Sequence, residues 1–392
     1  MFTGSLPGAK FSSVQHAFRS EIDYYAERAA GLLASARDGN PAAVGAFDRY
    51  GAELSDVDAR TVVAREHGFT VWDELAAHVA NLDDEPFARA YRTIEAHDLD
   101  GLAALLTEFP ALVGQTGTNG NDLLGLAAGT CDERLCRVLL DHGADPARGN
   151  VHGWTPLHQA AYSGLPWLAR MLLEAGAPLD VSGRGAGGTP LVVALFWGNR
   201  ELAELLAGHS LAPGNLRVAA GLGRVDLLDS PGAPRAFYRP HSGFPFWRPS
   251  DDPAEVRDEA LSWAARNGRV DTVRALADRG ADLDADVYRG TALTWAASCG
   301  QESTVRALLE LGADVNRRGT FGGPGHGQGI TALHLAAQNN RLDVITALLE
   351  AGADPSIEDE LFSSTPLGWA THFDRHEAKA LLASATVSRR EA

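Results

Sequence analysis

The chain has 392 residues, 45% of them hydrophobic and 22% charged, which is the balance of a folded protein and not of a disordered or collagen-like one. Its 34 basic and 51 acidic residues leave a net charge of −17, with no cluster of positive charge, and this argues against nucleic acid and anionic membrane surfaces as partners. No long uncharged apolar run predicts a transmembrane helix, no basic-then-apolar leader opens the chain, and three scattered cysteines (Cys131, Cys136, Cys299) suit neither a disulfide framework nor a zinc site, so a reducing cytoplasm is expected.

Residues 1–85 carry no repeat and are expected to form a helical N-terminal capping region. Segments 21–36 and 41–50 place Ala, Leu and Phe on one face at helical spacing. The run from Asp58 to Leu75 reads as a helix, a stop at Gly68 and a second helix, and Asn81 to Pro86 reads as a linker. A cap that shields the unit after it is the expected role; a separate partner-binding module is the alternative. The composition, rich in Gly and Ala with Lys10 and Lys379 as the only lysines, is the habit of a GC-rich bacterial genome.

From residue 86 to 392 one pattern recurs with a period near 33 residues. Its clearest copy runs Gly153-Trp154-Thr155-Pro156-Leu157-His158, then Ala160-Ala161, Gly164 and Leu172-Leu173. Further copies begin at Thr189-Pro190-Leu191, Thr291-Ala292-Leu293, Thr331-Ala332-Leu333-His334 and Thr365-Pro366-Leu367. Threonine caps a helix start, and proline fits the first helical position, where no N–H is needed. Paired alanines keep the first helix thin, and a Leu-Leu pair gives the second its buried stripe. One such unit cannot bury its apolar face alone; stacking makes the core continuous.

A period near 33 with Thr-Pro-Leu-His resembles the ankyrin repeat. The resemblance implies an all-α ankyrin-repeat solenoid of about nine helix-turn-helix units behind an N-terminal helical cap. The leader is similar to helical segments ahead of ankyrin arrays in uncharacterised bacterial proteins. His158 and His334 look like the family's structural histidine. A cofactor is not expected, since Gly183 to Gly188 matches a dinucleotide pattern but follows a repeat turn and not a strand. A metal is not expected either: His372 and His376 are split by the turn at Asp374.

Two insertions break the pattern, at 229–253 and 317–329. The first holds Phe237, Tyr238, Phe244, Phe246 and Trp247, and burying each aromatic would contribute about 2 kcal/mol, so it is expected to pack back on the array. With the second it would roof the groove. In the family that groove is lined by fingers and by the two positions after the alanine pair, which here gives Tyr162, Phe196, Trp197, Arg266, Asn267, Cys299, Gln338 and His372, with Tyr288 from a finger and Trp247 from the insertion.

Two functions follow. The first is a monomeric binding protein that takes a protein or peptide partner in this groove. The second is a cofactor-free small-molecule enzyme, an acid–base isomerase, cyclase or hydrolase. For it the candidate catalytic residues are His241, His326, Asp252, Glu259 and Tyr288. Cys299 beside Arg266 is a candidate reactive thiolate. A small organic molecule would be the partner in that case.

Overall fold

The structure is a computed structural model and describes residues 14–39, 41–183, 187–209, 215–229, 252–288, 290–320 and 328–391. Helices make up the secondary structure of the described residues, beside three isolated β-bridges, so the class is all-α as the repeat pattern implied. The chain divides into two compact units. Unit 1 comprises residues 1–159 and 170–178, and unit 2 comprises 160–169 and 179–392.

Unit 1 opens with four helices, α1 (Ile22–Arg37), α2 (Pro41–Tyr50), α3 (Asp56–Glu66) and α4 (Trp72–Val79). Tyr25, Leu32, Leu33, Phe47, Val62, Val63 and Leu75 form their core. Two helix pairs follow: α5 (Pro86–Glu95) with α6 (Leu99–Glu108), and α7 (Leu123–Thr130) with α8 (Glu133–Asp141). An extended segment, residues 14–20, ties the leader to these pairs. The Gln15 N–H donates to Glu66 O, the His16 N–H donates to Thr116 O, and Phe18 packs on Tyr91. Gly117 is required there by contact, because a Cβ would lie 2.7 Å from both Phe18 and Phe87. A buried polar link adds to it: the His67 ring meets Val63 O at 2.8 Å and Thr118 Oγ1 at 2.9 Å. The division of the chain passes through the next two helices, α9 (Pro156–Ser163) and α10 (Pro166–Glu174).

Unit 2 holds α11 (Pro190–Trp197), α12 (Arg200–Ala207), α13 (Leu216–Leu222), α14 (Pro253–Arg266), α15 (Val270–Asp278), α16 (Ala292–Cys299), α17 (Glu302–Glu310), α18 (Ala332–Gln338), α19 (Leu342–Glu350), α20 (Pro366–His372) and α21 (His376–Glu391). In one layer α14, α16, α18 and α20 pack in succession; in the other, α15, α17, α19 and α21 do. The alanine pairs 264–265, 296–297 and 336–337 are wholly buried between them, with Val273, Leu276, Val305, Leu308, Ile345 and Leu348 from the outer layer. Local chemistry starts each inner helix as the sequence implied. Thr189 and Thr291 accept from the backbone N–H three residues on, and Thr331 shares a reciprocal cap with His334.

One unit departs from the pattern. Among the described residues α13 is followed by a 3₁₀ turn, Val225–Leu227, and α13 packs broadly on α14. Of the two insertions, residues 230–251 and 321–327 lie outside the described residues, and with them Trp247, His241, His326 and the aromatic cluster at 237–247.

Candidate functional site

The C-terminal ends of the inner helices of unit 2 carry the residues that the repeat pattern assigns to recognition. Their surroundings differ sharply along the row. Tyr162 is 47% exposed, Trp197, Ser298, Cys299, Gln338 and Asn339 are half-buried, and His372 and Phe373 are exposed. Tyr162 and Trp197 meet edge to face at 5.2 Å. At the far end His372 and Phe373 form a second edge-to-face pair, with centroids 4.9 Å apart.

Phe196, Arg266, Asn267 and Tyr288 are not on that accessible edge; all four are buried. Contacts to the C-terminal end of α11 bury two of them. Arg266 reaches the C-terminus of α11, where it donates to Phe196 O, and Asn267 Nδ2 donates to Leu195 O at 2.7 Å. From one unit further on, the Cys299 thiol lies 3.9 Å from Trp197 O. Gly198 sits where the three helices meet: a Cβ there would be 2.7 Å from both Arg266 O and Cys299 Sγ. Three inner helices therefore converge on one helix end.

Arg266 lies inside an aromatic enclosure. Its guanidinium carbon is 4.0 Å from the Trp295 ring centroid and 4.8 Å from that of Phe196. Tyr288 stacks on Trp295 at 6.1 Å and 12°, and Trp197 and Trp263 close the cluster edge-on. Nε donates to Ser262 O at 3.2 Å and one terminal nitrogen to Ser262 Oγ at 2.7 Å. Burial pushes the guanidinium down to about 10, so it stays charged at neutral pH. Trp263 and Trp295 are buried, and Trp295 is also the face on which the arginine rests. A tryptophan immediately before the alanine pair in two consecutive units is the signal that flags this enclosure.

The catalytic candidates find other places. Asp252 caps α14 by accepting from the Ala254 N–H at 2.7 Å. Glu259 is buried in an ion pair with Arg217, where a proton acceptor is neutralised by its partner. Tyr288 gives its backbone carbonyl to the Trp295 indole N–H at 2.8 Å. Burial pushes the Cys299 thiol up, against the opposing pull of Arg266, which works against the candidate thiolate. His334 takes the structural place implied for it. Its Nδ1 accepts from the Thr331 N–H at 3.1 Å and its Nε2 N–H donates to Ser364 O at 3.1 Å. No group of three or more His, Cys, Asp or Glu side chains among the described residues is arranged to hold a metal ion.

Comparison with known proteins agrees with this architecture. A family model described as ankyrin repeats, in three copies, matches residues 93–183 and 247–319, and a single ankyrin repeat matches 328–360. The unmatched stretch 184–246 contains α11, α12 and α13, where the pattern is most distorted. Over 75 residues the chain is 43% identical to the inactive serine/threonine-protein kinase TEX14 of Bos taurus, covering 18% of this chain and 5% of that protein. It is 40% identical over 119 residues to the neurogenic locus notch homolog protein 4 of Homo sapiens, covering 29% of this chain and 6% of that one. A putative ankyrin repeat protein of Fowlpox virus, FPV031, shares 33% identity over 113 residues, 28% of this chain and 33% of its own length. The matched stretches thus span a third or less of each of these relatives.

Proposed function

Because the chain belongs to the ankyrin repeat family, we propose that it is a protein-interaction module that takes a protein or peptide segment along the accessible inner edge of unit 2. One observation carries this reading. Tyr162, Trp197, Cys299, Gln338 and His372 occupy equivalent helix ends and stay at least partly open to solvent, although Ala160-Ala161, Ala194-Leu195, Ala296-Ala297, Ala336-Ala337 and Ala370 just before them are buried. Such an edge is preorganised: rigid helices hold an aromatic pair at each end, Tyr162–Trp197 and His372–Phe373, with the polar groups of Ser298, Gln338 and Asn339 between them, which lowers the ordering cost of binding. Tyr and Trp are the residue types that dominate interface energetics. In this reading the leader, α1–α4, is a cap for the first helix pairs, and the protein acts as a bacterial cytoplasmic monomer. No helix among the described residues is long and apolar enough to cross a membrane.

The test is site-specific photo-crosslinking in the native host. A benzophenone amino acid is placed at Tyr162, Gln338 or His372, and for comparison at Asp271 or Thr346, which are exposed on the outer layer. One polypeptide should be captured from all three inner positions and from neither outer one. Capture only from the outer positions would sink the proposal.

A further inference from the structure

Arg266 is the one charged residue among the equivalent inner-edge positions, which elsewhere hold Gly129, Tyr162, Phe196, Gly221, Ser298 and Gln338. It is also among the most deeply buried, at 1% exposure. Its hydrogen bonds go to three neutral acceptors, Ser262 O, Ser262 Oγ and Phe196 O. No carboxylate among the described residues pairs with it, and the ionisable groups that act on its charge are the Cys299 thiol and the Tyr288 phenol. A guanidinium has five N–H donors. One N–H on each terminal nitrogen is therefore left over, the planar fork that suits a carboxylate.

Packing does not require the charge. The carbonyl end of α11 and the two ring faces offset part of its desolvation, but a neutral amide would make comparable hydrogen bonds there without that cost. An unsatisfied polar atom lies on the next residue: Asn267 Oδ1 is buried with no donor, although Nδ2 of the same amide is fully used by Leu195 O and Trp263 O. An uncompensated positive charge walled by Trp295 and Phe196 is thus kept inside a molecule whose net charge is −17.

We propose that this enclosure is a binding site for a small organic carboxylate with a planar apolar body, its carboxylate taken by Arg266 and its body lying against the aromatic rings. Trp197, Ser298 and Cys299 are half-buried at the neighbouring helix ends, with Trp197 edge-on to Trp295 and the Cys299 thiol 3.9 Å from Trp197 O. The site is separate from the partner-binding reading: crosslinking along the inner edge can fail while this site stands, and the reverse.

The probes are benzoate and indole-3-acetate, with indole-3-acetamide as the uncharged control. Isothermal titration of the full chain should show saturable one-to-one binding of at least one acid, at least tenfold tighter than the amide. The variant R266Q should lose that binding tenfold or more while keeping its thermal transition. A measurement on the wild-type protein stands beside it in case R266Q does not fold. The slowly exchanging Nε–H resonance of Arg266 in a nitrogen-15 spectrum should move through the acid titration and stay put with the amide. Equal binding of acid and amide, no binding of either acid, or a resonance that moves only with chloride would overturn the site and leave Arg266 as a cap on α11.

Discussion

His334 shows how much a single side chain is constrained by the cap it serves. Its Nδ1 must accept from the Thr331 N–H while its Nε2 N–H donates to Ser364 O, an arrangement open only to the neutral ring. Burial lowers its pKa to about 4, with Asp359 pulling upward and Arg318 downward. An unfolded histidine titrates near 6.5, so between pH 6.5 and 4 the unfolded chain binds the extra proton. The stability owed to this residue is therefore complete above pH 6.5 and is lost as pH falls through that window, by up to about 3 kcal/mol. H334Q keeps a side chain that can reach back to the cap. The variant is expected to lose less melting temperature than wild type on going from pH 7.5 to pH 5. Parallel losses in a thermal melt at both pH values would show that the ring is not held neutral.

At the scale of elements, the outcome turns on α11 and its neighbours. Gly198 ends α11 at a φ of +74°, and an added Cβ would strike Arg266 O and Cys299 Sγ at 2.7 Å. Gly280 has a similar φ of +78°, yet a Cβ there would have nothing within 4 Å of it. G280A should therefore cost only the left-handed backbone penalty, about 1 kcal/mol. G198A should cost at least about 1 kcal/mol more, because a backbone carbonyl cannot swing aside as a side-chain tip does. Denaturant midpoints of the two variants decide it. Equal midpoints would mean that the ends of α11, α14 and α16 do not meet as described.

For the molecule as a whole, the leader and the repeats raise one question: whether α1–α4 are a cap or an independent module. Within unit 1 the segment 14–20 places Phe18 on Tyr91 and Phe87, and Ala88 of α5 belongs to the same core as Leu75 and Val79. Deleting residues 1–79 would strip these apolar surfaces of their cover. A chain so shortened is expected to self-associate and to melt at lower temperature, because terminal repeats need a polar outer face. Light scattering coupled to size exclusion reads the first effect and calorimetry the second. A monodisperse shortened chain with an unchanged melt would instead make the leader a module of its own.

The sequence by itself determined the fold class, the helix starts at Thr189, Thr291, Thr331 and Thr365, and the row of equivalent inner positions. These rest on local rules, caps, alanine pairs and Leu stripes, whose partners lie within a few residues or one period. What only the tertiary structure decided is which members of that row face solvent. Tyr162 and His372 do, whereas Arg266 and Asn267 do not. The bonds that bury them join residues 70 and 72 positions apart, Arg266 to Phe196 and Asn267 to Leu195. They exist where the ends of α11, α14 and α16 come together, beside Cys299, whose thiol lies 3.9 Å from Trp197 O. A periodic pattern assigns Arg266 the same environment as Gln338; the packing around one shortened unit gives it a different one.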